Sequence, residues 1–230
     1  MNIPILFEDD AMIAVNKPPG IVVNNAQSVK GETVQDWMAA QQDFTKETNE
    51  DFKNRAGIVH RIDKETSGIL LIAKTLPAFF ELQRQFKEHI IQKTYLAIAH
   101  GKLVPETGEI NAPVGRLPWN KEHFGIVPGG KESVTKYRVQ KYLTDFSVVE
   151  LYPQSGRTHQ IRVHLKYINH PIVADYLYAG RKTARNDRTW APRCMLHAWK
   201  LTCVHPATGK SLAIEAPIPD DMNKIIHGFT

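Results

Sequence analysis

The chain has 230 residues, 42% of them hydrophobic and 23% charged, which excludes a disordered or fibrous protein and suits one large domain or two small ones closely packed. A formal net charge of +5 fits a polyanionic partner without requiring one. Cys194 and Cys203 offer no CxxC pair and no disulfide framework, so two reduced, buried thiols of a cytosolic protein are expected.

The first residues, MNIPILFEDD, carry acids where a secretory signal carries bases, and no apolar run approaches the length of a membrane span. A protein that is neither exported nor membrane-bound is expected. Next, AMIAV (11–15) reads as a short buried strand that stops at Asn16 and Lys17, because Pro18, Pro19 and Gly20 cannot extend a ladder. From 32 to 55 the spacing of Val34, Trp37 and Met38 predicts a helix, followed by a polar mobile loop, QQDFTKETNEDFKNR.

Residues 60–68, HRIDKETSG, set one carboxylate, Asp63, among His60, Arg61 and Lys64, directly before the apolar strand 69–73. A loop fixed by a buried strand is a favoured place for chemistry, although a solvated mixture of charges reads the same way. Thr75 as cap, Pro77 in the first turn, and Phe79, Leu82, Phe86 and Ile90 at helical spacing predict an amphipathic helix after that strand.

Further on, KTYLAIAHGKL is β-rich, and 116–131, RLPWNKEHFGIVPGGK, reads as a long basic loop between strands. VTKYRVQKY and FSVVELYP predict a hairpin turning at Leu143, Thr144 and Asp145. After Gly156, Thr158 as cap and Ile161, Leu165 and Ile168 at i, i+4, i+7 predict a helix with His159, Arg162 and Lys166 on a cationic face. That face suits solvent as well as an anion. MLHAWKLTCVHPATGKSLAIEAP predicts a last hairpin around PATGK, and the sum is an α+β fold with a mixed, mainly antiparallel sheet in a single domain over 1–230.

Several motifs fail on inspection. Gly125 to Lys131 has the spacing of a phosphate-binding loop, but Glu132 stands where a hydroxyl must hold magnesium, and a strand follows instead of a helix. His159 and His164, five apart with no Glu between them, do not share a helix face as zinc ligands do, so no metal is expected. No G-x-S-x-G elbow exists. What remains is a loop carboxylate, a cationic helix and a basic chain, a combination suited to a negatively charged substrate handled by one acid residue.

At HRIDKETSGILLIAKT the chain resembles the RluA-type pseudouridine synthases, whose hallmark is H-R-[L/I]-D-x-x-T-S-G before a strand. NKPPGIVV, QKTYLAI, SGRTHQIRVHLKYINHPIVAD and MLHAWKLTCVHPATGK resemble further family elements, in family order, across nearly the whole chain. The resemblance implies isomerisation of uridine in structured ribosomal or transfer RNA without metal or cofactor; a stand-alone monomeric catalytic domain in the cytoplasm is expected. Asp63 is implied as the catalytic carboxylate, Tyr95 as the aromatic packed on the uracil, and Arg162 as the ion-pair partner of Asp63.

Arg61 corresponds to the residue that fills the stack left by an extruded base, and Leu196 to one packed beside that base. His60, Arg157 and Lys166 are expected as further substrate contacts, and Arg116, Lys121, His123 and Lys131, interleaved with Trp119 and Phe124, are candidates for gripping a stem-loop. On their residue types alone, Tyr95 is equally a strand aromatic, Arg162 a surface phosphate contact and Leu196 core. Two rival readings stay open. One is an RNA-binding protein that modifies nothing; the other is a glycosyl hydrolase, which needs a second carboxylate for which only Glu65 is at hand.

Overall fold

The structure is a computed structural model that describes residues 1–27 and 29–228; the side chains of Lys121 and Glu122 fall outside the described residues. In chain order the elements are β1 (Ile5–Glu8), β2 (Met12–Lys17), α1 (Val34–Gln41), α2 (Glu50–Asn54), β3 (Ser67–Ala73) and α3 (Leu76–Lys87). There follow β4 (Gln92–His100), β5 (Thr107–Asn111), β6 (Val114–Leu117), β7 (Asn120–Ile126), β8 (Val134–Tyr142) and β9 (Phe146–Pro153). The chain closes with α4 (Gln160–Tyr167), α5 (Arg181–Asp187), β10 (Leu196–Val204), β11 (Ser211–Glu215) and α6 (Asp220–Gly228). Among the described residues no helix is long and apolar enough to cross a membrane.

The chain divides into two compact units, one of Met1–Gln92 with Ala198–Pro217 and one of Lys93–His197 with Ile218–Thr230. In the first, β2 pairs antiparallel with β1 and β3, and β10 with β11. All seven residues of β3 are buried, which is why its sequence is a continuous apolar run and not an alternating one. Thr75 caps α3 by accepting the Ala78 N–H, and Phe79 and Leu82 bury its inner face.

The second unit is built on the antiparallel order β4, β9, β8, β5, with β6 and β7 as a separate hairpin. Cys194 and Cys203 are buried free thiols, and burial pushes the Cys203 thiol up to about 11.

Four expectations need correction. The polar stretch after α1 holds a helix, α2, because Asn49 accepts the Phe52 N–H as a cap and Phe52 is buried. The basic stretch 116–131 is not one long loop: most of it is the β6–β7 hairpin, where Arg116 faces Phe124 across the pair with its guanidinium 5.0 Å from the ring centroid. Thr158 does not cap α4; the cap position is His159, in the left-handed region at φ 57° and with no side-chain capping bond. The expected cationic face of His159, Arg162 and Lys166 is not a solvated one: Arg162 is buried, His159 is half-buried against the Tyr178 hydroxyl, and only Lys166 is exposed.

Candidate functional site

In the first unit the segment 60–68 is fixed at several points. Ile62 and Thr66 point inward, Asp63 is half-buried between them, and Arg61 and Lys64 are exposed. The Asp63 carbonyl accepts the Thr66 N–H at 3.1 Å, closing a turn just after the carboxylate. His60 accepts the Leu71 N–H at Nε2, 2.8 Å, and stacks on Phe86 with centroids 4.4 Å apart, so its ring binds the loop to β3 and α3.

A residue that the sequence marks only as a strand end holds the other side of this loop. Lys17 is fully buried, and its ammonium donates to the carbonyls of Pro18 at 2.9 Å, Ile21 at 2.9 Å and Lys64 at 3.1 Å. The Gly20 N–H donates to the same Lys64 carbonyl at 2.8 Å. Three carbonyl dipoles converge on one buried ammonium, which satisfies its donors and ties the NKPPGI turn to the loop carrying Asp63.

Gly68 closes the loop. Its φ is +109°, and a Cβ there would lie 2.2 Å from the Ala198 carbonyl oxygen of β10. Only glycine permits that backbone and that approach.

In the second unit Tyr95 is half-buried on β4, opposite Leu151 of β9. Two residues earlier Lys93 donates to the Ser155 carbonyl at 3.1 Å, and burial pushes its amine down to about 8. Ser155 Oγ donates to Gln160 Oε1 at 2.6 Å, and the Arg157 N–H donates to the same oxygen at 3.1 Å, so the entry to α4 is braced from β4 and from the helix itself.

Arg162 is held by a partner absent from the sequence reading. Its Nε and Nη2 donate to Asp175 Oδ2 and Oδ1, both at 2.8 Å, while Asp175 Oδ1 also accepts the N–H groups of Leu177 at 3.0 Å and Tyr178 at 3.3 Å. Asp175 is fully buried, and Arg162 is 7% exposed, which does not suit a surface phosphate contact. The guanidinium lies over the Tyr178 ring at 5.0 Å, and the Tyr178 hydroxyl meets His159 Nδ1 at 2.9 Å and accepts the Phe124 N–H at 3.3 Å. The only signal for Asp175 was its position at the end of SGRTHQIRVHLKYINHPIVAD.

Leu196 is buried, and its carbonyl accepts from Arg193 Nη1 at 3.2 Å; Arg193 in turn pairs with Asp221 at 2.7 and 3.0 Å. Arg157, Lys166, Arg116 and Lys131 are exposed, His123 is half-buried, and the Lys121 side chain lies outside the described residues. His164 is not presented to any ligand: its Nδ1 meets Thr135 Oγ1 at 2.9 Å and its Nε2 meets the Ala112 carbonyl at 3.0 Å, with burial holding its pKa below the ordinary histidine value.

The sequence profile of the family described as RNA pseudouridylate synthase matches residues 11–167. Ribosomal large subunit pseudouridine synthase D of Neisseria meningitidis serogroup B is 40% identical over 98% of this chain and 61% of that protein. The Bacillus subtilis protein YlyB, described as an uncharacterized RNA pseudouridine synthase, is 38% identical over 100% of this chain and 73% of that protein. A solved structure titled human RNA pseudouridylate synthase domain containing 1 superposes with a TM-score of 0.74 at 27% identity, covering 94% of this chain and 83% of that one. This chain belongs to the RNA pseudouridylate synthase family. It spans 61% and 64% of the length of the ribosomal large subunit relatives from Neisseria meningitidis serogroup B and Nitrosomonas europaea.

Proposed function

We propose that this chain isomerises uridine to pseudouridine in structured RNA, with Asp63 as the catalytic carboxylate and residues 1–230 working as one monomeric catalytic domain in the cytoplasm. The observation that carries the reading is the fixing of Asp63: a half-buried carboxylate on a short turn, strapped by a buried lysine, a stacked histidine and a glycine for which no other residue can substitute. So much restraint on a polar loop suits a reactive group that must meet one atom of a substrate.

In this reading Asp63 either attacks the anomeric carbon of the target nucleotide or removes a proton from its ribose, and the uracil turns and rejoins through carbon 5. The target is extruded from its helix so that both base faces are reached, with Arg61 filling the gap, Tyr95 packing on the uracil and Leu196 beside it. Arg162, aligned by Asp175, is the ion-pair partner of Asp63. His60 fixes the loop, while Arg157, Lys166, Arg116, Lys121 and Lys131 meet RNA phosphates. The chemistry uses side chains only, without metal or cofactor. Large-subunit ribosomal RNA is the first substrate to try, because two relatives carry that description; transfer RNA is the second.

The test is the map of pseudouridines in cells with the intact gene, without it, and with Asp63→Asn. The amide is nearly isosteric but is neither nucleophile nor base, so at least one pseudouridine disappears in both altered strains while the purified variant keeps RNA affinity within about threefold of the original. Turnover by Asp63→Asn on a uridine-containing stem-loop would remove the carboxylate from the chemistry.

A further inference from the structure

A pocket of about 360 Å³ opens in the second unit among the β6–β7 hairpin, α4 and the turn after Asp175. Tyr95, Arg162 and Leu196 do not line it, although one of its walls, Tyr178, carries the Arg162 guanidinium over its ring at 5.0 Å. Its walls include the rings of Phe124, Tyr167 and Tyr178, with Leu177 beside them. Tyr178 is rigidly held through its hydroxyl, whereas Tyr167 is 57% exposed and Leu177 40% exposed, leaving apolar surface open to solvent around the pocket.

Polar groups are few. Lys166 is exposed at the lining, Arg116 lies over Phe124, and Nδ1 of His123 is buried without a hydrogen-bond partner. A buried ring nitrogen with no partner in a pocket wall is open to the polar edge of a ligand.

These features select one chemistry. Aromatic walls suit a flat group, the unpartnered ring nitrogen suits a hydrogen-bonding edge, and an exposed lysine suits an attached anion. A lipid tail leaves the lysine and the ring nitrogen unused; an acidic peptide leaves the aromatic walls unused. A flat base with a hydrogen-bonding edge and a neighbouring phosphate uses all three. The volume lies at the small end of the roughly 300–1,000 Å³ typical of ligand pockets, enough for one nucleotide and not for a helix.

We propose that this pocket holds one unstacked nucleobase of the RNA substrate, a nucleotide other than the uridine that is isomerised, with its phosphate on Lys166. The proposal rests on the reading of the chain as an RNA-modifying enzyme, which makes the occupant part of an RNA and not a free nucleotide. It adds a second point of recognition, at which a loop nucleotide at a fixed distance from the target is read by stacking.

The experiment uses large-subunit ribosomal RNA hairpins carrying 2-aminopurine singly at each loop position, a base whose fluorescence is quenched on stacking with aromatic rings. At saturating full-length protein one position other than the target is quenched. Tyr167→Ala, at an exposed site that does not threaten folding, abolishes that quench and weakens binding about tenfold, within the range for loss of one base–aromatic stack. Lys166→Gln lowers the salt dependence of binding by about one unit of slope. Phe80→Ala, at an exposed aromatic of α3 outside the pocket, keeps the quench at saturation. Pseudouridine formation is scored on the same hairpins. Turnover by the original protein with no quench at any loop position, or a quench that survives Tyr167→Ala, overturns the pocket and leaves the enzymatic reading standing. A quench lost in Tyr167→Ala with no turnover supports the pocket and overturns that reading.

Discussion

Replacing Asp175 with asparagine tests whether the site depends on a buried ion pair that no local pattern announces. Both carboxylate oxygens receive a guanidinium N–H at 2.8 Å, and Oδ1 also receives two backbone N–H groups. Asparagine offers one oxygen. If it faces Leu177, Tyr178 and Nη2, its NH₂ confronts Arg162 Nε; if it faces Nε, the NH₂ confronts three donors. Either way at least one charge-assisted bond, worth about 1.5–3 kcal/mol, is lost and a donor meets a donor. With Asp175 fully buried and Arg162 nearly so, the expected loss is about 3–5 kcal/mol of folding stability.

For a chain of 230 residues that corresponds to a fall in Tm of about 6–20 °C. Urea unfolding at pH 7, followed by tryptophan fluorescence, measures it directly, and the double variant with Arg162→Met gives the coupling. Because each single change already removes the pair, the double loss falls well short of the sum. A loss below about 1 kcal/mol for Asp175→Asn, or simple additivity, would refute the reasoning and leave Arg162 without its aligning partner.

Three further outcomes are expected. Gly68→Ala forces a Cβ to 2.2 Å from the Ala198 carbonyl at a φ of +109°, so it costs about 3 kcal/mol or more and shows as a low yield of soluble protein with an early unfolding midpoint. The half-buried Lys93 amine, near 8 when folded against an ordinary 10.5, loses its proton in the folded chain before the unfolded one; stability therefore rises with pH between about 8 and 10.5 from this group, and Lys93→Met removes that rise in unfolding curves taken across the window. Arg162→Ala lowers turnover at saturating RNA strongly if Arg162 pairs with Asp63, whereas preserved turnover with a shallower salt slope of binding would make it a phosphate contact.

Local sequence carried the parts of this protein that local physics controls. The run ILLIA is a strand because it is buried on both faces, Thr75 and Pro77 open α3 where a cap and a fixed φ belong, and Leu143-Thr144-Asp145 turns β8 into β9. The motif HRIDKETSG marked Asp63 as a candidate for a related reason, since a short motif keeps its residue types in order whatever surrounds it. The β6–β7 hairpin was not, because glycine, proline and basic residues mask a pairing whose support, Arg116 over Phe124, appears only once two segments meet. Nor was the interior of α4: helical spacing gave Arg162 a polar face, and only a carboxylate thirteen residues on, with its backbone bonds, lets a guanidinium sit inside. Lys17 and Gly68 follow the same rule. One looked like the end of a strand and the other like the end of a motif, yet three carbonyls around an ammonium and one carbonyl against a missing Cβ are what fix the loop of Asp63. Sequence determines which elements form and which reactive groups they carry; burial and long-range partners, which no window along the chain contains, decide which of those groups can be held charged, aligned and still.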